Sequence, residues 1–220
     1  GAHLDYHTLI RPSDLGSHVG HLAVTQESGS TFAGQSLVLG GRLVRNDAHV
    51  VLAGEGCVTQ LGGVYLAAGE SHVDNQTSIE HQSPRCTSRE SYRGAVAGRG
   101  QAVWSGRAVV RPGAQGTDAR QSSRNLVLSD GAVVHAKPHL EIFADDVKCA
   151  HGATTGHLDP EALFYLRARG LGEPAARRML VTAFLCEGLG AVGELGLRQR
   201  LEEIVAAAAR SLVSAQGVSP

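Results

Sequence analysis

A mainly β body followed by a short helical segment is the fold class that this 220-residue sequence predicts. Three observations predict it. Short aliphatic and β-branched stretches alternate with polar residues over residues 1–147, with Gly, Asn, Asp and Ser between them. The same part holds 19 of the 28 glycines and shows no 3.6-residue apolar stripe. From Asp159 onwards the period changes to that of amphipathic helices.

The strands expected in chain order are Gly20–Thr25, Ser36–Val44, His49–Leu52, Val64–Ala67, Val103–Val110, Asn125–Leu128 and Leu140–Phe143. Ser71–His81 is polar for a strand, and its Asn, Gln and Thr side chains suit the satisfaction of backbone groups in a tightly wound coil. A weak repeat runs through the β part. Gly56-CVTQL-Gly62 is echoed by Gly100-QAVWS-Gly106, 44 residues on, and by Asp130-Gly131-AVVHAK-Pro138, 31 residues further. Recurrent short strands without helices between them suit a solenoid, whose thin interior takes small and β-branched side chains and whose corners take glycine. A β-sandwich has similar local statistics and stays open at this level.

Asp159-Pro160-Glu161 reads as a helix start, with Asp as N-cap, Pro in the first turn and an acid beside the positive end of the dipole. Ala162, Leu163, Tyr165 and Leu166 form its apolar face and Gly170 ends it. A second helix is expected from Pro174 through Glu187. A third is expected from about Leu197 to Leu212, with Leu201, Ile204, Val205, Ala208 and Leu212 on one stripe. Residues 214–220 read as a frayed end. Such helices can cap a solenoid or offer an apolar face to a partner.

Composition removes several classes of function. Twenty basic and 21 acidic side chains leave a formal charge of -1, which argues against nucleic acid as a partner. No apolar run approaches the length of a transmembrane helix. The chain begins Gly1-Ala2-His3, with neither an initiator Met nor a leader pattern, and is expected to be a piece of a longer, cytoplasmic protein. Cys57, Cys86, Cys149 and Cys186 lack CxxC spacing and are expected as reduced thiols.

The densest group of chemically capable residues is Asp145-DVKCAHGATTG-His157. On a strand, Cys149 and His151 point to one face, where thiolate and imidazole suit a soft metal. They are only two ligands, so the remainder must come from elsewhere. Eight arginines (Arg85, Arg89, Arg93, Arg99, Arg107, Arg111, Arg120 and Arg124) stand against Glu90 and Asp118. They read either as phosphate forks or as a solvated ladder. His72, Asp74 and His81 are weaker ligand candidates. No Walker, GxGxxG, HExxH or GxSxG motif is present.

Three stretches carry a resemblance: Val73-DNQTSIEH-Gln82, Leu140-EIFADDVKCAHGATTG-His157 and Asp159-PEALFYLRARG-Leu171. They are similar to the SufB/SufD family of iron–sulfur cluster assembly proteins, nearer its SufD branch because Gly152 follows His151 where SufB proteins show His-Glu. The resemblance runs from about residue 5 to 212. It implies a right-handed parallel β-helix, here residues 1–157, and a small helical domain, residues 158–220. It implies a non-catalytic scaffold that pairs with a SufB-like paralogue and binds a SufC-like ATPase. His151, with Cys149 beside it, would share a transient iron–sulfur cluster across the subunit interface. The ATPase would dock on the helical domain, for which Asp159, Leu163, Phe164, Tyr165, Arg167, Arg169, Met179 and Phe184 are the candidates. A flavin held by the complex and a homodimer of the isolated chain are further expectations. The contrasting reading is a β-helix enzyme acting alone, a polysaccharide lyase or an acyltransferase. Lyases of that kind bring clustered carboxylates and acyltransferases strict hexapeptide repeats, and the sequence shows neither.

Overall fold

The computed structural model describes residues 1–214. Residues 215–220, most of the expected frayed end, lie outside the described residues. Eleven strands follow one another without an intervening helix: β1 His3–Ile10, β2 Ser17–Gln26, β3 Thr31–Val38, β4 Leu43–Leu52, β5 Val58–Ala67, β6 His72–His81, β7 Thr87–Val96, β8 Gln101–Val110, β9 Thr117–Val127, β10 Val133–Ile142 and β11 Val147–Gly156. Odd and even strands alternate between two parallel sheets, ordered β1-β3-β5-β7-β9-β11 and β10-β8-β6-β4-β2. The chain therefore winds as a right-handed parallel β-helix, each coil stacking on the one before. Leu43 pairs with His72 and His72 with Gln101, a step of 29 residues per coil (72 − 43, 101 − 72).

That step explains the sequence repeat. Gly106 pairs with Pro138, so the two later copies are successive coils of one sheet. The copy beginning at Gly56 lies in β5 of the other sheet, so the 44-residue spacing spans one and a half coils. The stretch Ser36–Val44 is not one strand. It is the end of β3, a corner around Gly40 and Gly41, and the start of β4.

Two kinds of glycine serve the solenoid. At one corner the left-handed turn recurs in register at Gly29, Gly56, Arg85 and Gly116, with φ of 66°, 69°, 57° and 73°. Each N–H donates to the next coil: Gly29 to Glu55, Gly56 to Pro84, Arg85 to Gln115 and Gly116 to Asp146. Arg85 is the one non-glycine in the column. Inside the coil, Gly63 pairs with Tyr92 and Gly94 with Tyr65. A Cβ on Gly63 would fall within the Tyr92 ring, and one on Gly94 within the Tyr65 ring. Small residues thus alternate with aromatic rings along the axis, which fills a narrow interior to close packing.

The interior also buries polar side chains. Along β6, burial alternates strictly and the inward residues are Val73, Asn75, Thr77, Ile79 and His81. Ser88, Glu90, Gln121, Ser123 and Asn125 join them from β7 and β9. The Tyr65 hydroxyl donates to Asn125, and Asn125 donates to Ser123 at 3.2 Å. These bonds hold the amides away from the water they would otherwise need.

Three helices follow: α1 Pro160–Ala168, α2 Glu173–Cys186 and α3 Leu195–Ser214, with a short 3-10 turn at Glu187–Leu189. Asp159 caps α1, its carboxylate accepting from the Glu161 N–H at 2.9 Å. None of α1 is fully buried: Phe164 and Tyr165 are exposed, and Ala162, Leu163 and Leu166 are half-buried. The other two helices do not cap an end of the solenoid. Val181, Leu185, Leu189, Leu201, Val205 and Leu212 pack sideways onto the outer face of β3, β5, β7 and β9, against Leu37, Val64, Leu66, Ala95, Leu126 and Leu128. Arg93 pins that contact. Its guanidinium meets Glu187 at 2.6 Å, donates to the Phe184 carbonyl at 3.3 Å and lies 5.0 Å from the Phe184 ring centre.

Candidate functional site: the open last coil

Strands β10 and β11 end their sheets, each paired on one side only. Their free edges present unpaired backbone groups, and no further coil covers their inward side chains. Cys149 pairs in register with Ala119 and His151 with Gln121. Ala119 and Gln121 are buried inward residues, so Cys149 and His151 face the axis of the solenoid from its uncovered end. On the other wall, β10 turns Val134, Ala136, Pro138, Leu140 and Ile142 the same way, since Ala136 pairs with inward Trp104. Thiol and imidazole therefore stand two residues apart on the rim of a mostly apolar opening.

The two donors differ in environment. Cys149 is half-buried and packs near Val110, Ala114 and Ala144. Burial pushes its thiol up, and Asp118 adds to that against a backbone hydrogen bond from Ala119. It is a protonated thiol at neutral pH, poor as a nucleophile, and it must lose its proton to bind metal. His151 is exposed. Among the described residues no group of three or more His, Cys, Asp and Glu converges as a metal site. The pair supplies two donors of the kind that suits a soft metal.

The other sequence candidates are dispersed. His72 and Asp74 lie on the outer face of β6 while His81 points inward, so the three do not meet. Asp74 is engaged by Arg45 at 2.6 Å. Seven of the eight belt arginines are paired with carboxylates: Arg85 with Glu55, Arg89 and Arg120 with Asp118, Arg93 with Glu187, Arg99 with Glu70, Arg107 with Glu141 and Arg111 with Glu80. Most of these acids come from a neighbouring coil, and Glu187 comes from the 3-10 turn. The belt is a charge ladder between coils and onto the helices.

On the helices, Phe164 is 74% exposed, Tyr165 57% and Met179 50%. Leu163 is half-buried, and Arg167 and Arg169 are exposed. Arg169 stacks 4.9 Å from the Tyr165 ring centre, and Arg167 pairs with Glu173 at 3.2 Å. Phe184 differs from these, because it is held under Arg93. No helix among the described residues is long and apolar enough to cross a membrane.

A residue the sequence reading passed over is Glu90. It is buried inside the solenoid, one coil before Gln121 in the column that ends at His151. Its signal in the sequence is a lone carboxylate at an inward position of TSRESYRGAV, legible only once the register is known.

Eleven strands wound into a parallel coil, with helices packed along one side, define a β-solenoid class of protein. Comparison with known proteins then gives the family. Residues 1–184 match the family described as SUF system FeS cluster assembly, SufBD core domain, and the chain belongs to it. It is 34% identical over 200 residues to the iron–sulfur cluster assembly protein SufD of Escherichia coli K12, covering 91% of this chain and 47% of that protein. It is 38% identical over 174 residues to a SufBD family protein of Mycobacterium leprae, covering 76% and 44%. Against the chloroplastic protein ABCI7 of Arabidopsis thaliana it is 37% identical over 184 residues, covering 83% and 39%. The chain thus spans less than half the length of these relatives.

Proposed function

We propose that this chain is a non-catalytic scaffold subunit for iron–sulfur cluster assembly, acting in the cytoplasm. Iron and sulfide are its cargo. The observation that carries the reading is the inward-facing Cys149–His151 pair on the last coil, two donors that need a second molecule to complete them. A SufB-like paralogue would supply the rest by pairing its own strands with the free edges of β10 and β11. A nascent cluster then sits between the two solenoids, with His151 as this chain's principal ligand and Cys149 as the second. The isolated chain would meet a copy of itself by the same edges.

Residues 1–157 would serve as the cluster-building unit and residues 158–220 as the docking unit for a SufC-like ATPase. The exposed apolar side chains Phe164, Tyr165 and Met179, with Leu163, Asp159, Arg167 and Arg169 around them, suit such a contact. Phe184 belongs instead to the chain's own seam. Flavin binding by the complex gains no support from the arginine belt, seven of whose eight guanidinium groups are paired with carboxylates. Co-purification tests the reading. The chain should retain a paralogous solenoid and an ATPase. Phe164→Ser with Tyr165→Ser should lose the ATPase and keep the paralogue. Turnover of a polysaccharide or an acyl donor by the chain alone would refute the scaffold reading.

A further inference from the structure

Glu90, Gln121 and His151 occupy one inward column on three successive coils, because Glu90 pairs with Gln121 and Gln121 with His151. Neighbouring coils lie about 4.8 Å apart, within reach of these side chains. The Glu90 carboxyl is buried, 3% exposed, and no cation faces it. It accepts from the Thr77 hydroxyl on β6 and from the Gln121 amide nitrogen at 2.9 Å. Above pH 7, where it is ionised, this carboxylate can only accept, so it fixes which end of the Gln121 amide faces it. The Gln121 oxygen is the other end of that amide and does not face Glu90. That oxygen is buried and has no hydrogen-bond partner. A buried carbonyl oxygen without a donor is costly. The inward side chain on the next coil is His151.

We infer that Glu90 and Gln121 are positioning residues for His151: the carboxyl orients the amide, and the amide oxygen accepts the ring N–H of His151, leaving the other ring nitrogen as the ligand. A metal-binding histidine commonly relies on a second group of this kind to fix its tautomer. Here that group is an amide within the solenoid, itself held by a carboxyl one coil deeper. Gly106 makes room for it, since a Cβ there would meet the Trp104 ring and come within 3.1 Å of Gln121 Nε2. The inference rests on His151 being the ligand proposed above, but its test needs no cluster.

The test is long-range 1H–15N NMR of the His151 ring in the iron-free 220-residue chain above pH 7, where Glu90 is ionised. Wild type should show one predominant tautomer. Gln121→Leu removes the acceptor and should shift the tautomer ratio by roughly five-fold, the worth of one neutral hydrogen bond. Glu90→Gln should reverse the preference. Its new amide accepts from Thr77 and donates to the Gln121 oxygen, so Gln121 turns its nitrogen to His151, which must then accept. A purely structural role for Glu90 cannot produce a reversal. Identical His151 ring spectra in wild type and both folded variants would overturn the inference. That result would leave the scaffold reading untouched, which fails instead if His151→Ala still assembles a cluster at the wild-type level in the complex.

Discussion

The solenoid interior holds two ionisable side chains whose pH effects oppose one another, and removing either should unmask the other. Burial pushes the Glu90 carboxyl from its ordinary 4.5 up to about 7. Burial pushes the His81 imidazole from 6.5 down to about 4, although its Nε2 lies 2.9 Å from the Ser88 hydroxyl. Between pH 4.5 and 7 the folded chain holds a proton on Glu90 that the unfolded chain has lost, so stability falls as pH rises, by about 1.4 kcal/mol per unit. Between pH 4 and 6.5 the unfolded chain holds a proton on His81 that the folded chain lacks, so stability rises with pH by the same amount. Each effect integrates to about 3 kcal/mol, and over their shared window they nearly cancel.

Glu90→Gln should therefore change the shape of the profile. The variant should lose about 3 kcal/mol on acidification from pH 6.5 to 4, while wild type stays nearly flat down to pH 4.5. Above pH 7 the variant should gain on wild type by up to about 3 kcal/mol, because no carboxylate is then ionised in the interior. His81→Asn should show the opposite slope, gaining stability as pH falls from 7 to 4.5. Urea unfolding midpoints at half-unit steps from pH 4 to 8 measure all three. The ion-paired surface carboxylates Glu80, Asp118 and Glu141, held low by Arg111, Arg89 and Arg107, titrate alike in each protein and drop out of the differences. Parallel profiles for wild type and Glu90→Gln would refute the placement of Glu90 in a dry interior.

Two further substitutions probe the winding and the seam. Arg85→Gly relieves a non-glycine residue at φ 57° in a corner column otherwise glycine, and should raise stability by up to about 1 kcal/mol by urea unfolding. Loss of the exposed Glu55 pair costs little against this. Arg93→Ala removes the clamp on Glu187 and Phe184, and should cost about 2 kcal/mol and speed amide hydrogen exchange in α2 ahead of the strands.

The winding of the chain was legible in the sequence where coils bury aliphatic residues and hidden where they bury polar ones. Strands β2, β4, β5, β8, β9 and β10 contain the aliphatic alternation that marks six of the seven expected stretches. β6 and β7 reverse the usual code: Asn75, Thr77, His81, Ser88 and Glu90 face inward while Asp74, Glu80 and Arg89 face out. Polar residues on both faces leave no period-2 signal in hydrophobicity. The Ser36–Val44 stretch failed for another reason. Its corner turns on two glycines inside an aliphatic run, and burial on both walls hides the break. That Cys149 and His151 share one face of a strand followed from strand period alone, but neither the inward direction of that face nor the column beneath it did. Gln121 and Glu90 lie 30 and 61 residues before His151, a relation only coil length reveals. The helical segment reads as helices, whereas its docking along the outer face of the solenoid depends on Leu37, Val64 and Leu126, which look like ordinary strand residues.

The central claim is that the last coil offers half a cluster site. Anaerobic reconstitution of the chain with its paralogue, the ATPase, ferrous iron and a sulfide source, followed by visible circular dichroism, tests it most directly. His151→Ala should assemble markedly less cluster than wild type while its far-ultraviolet spectrum and its association with both partners are unchanged. Cluster formed at the wild-type level by an intact His151→Ala complex would contradict the account.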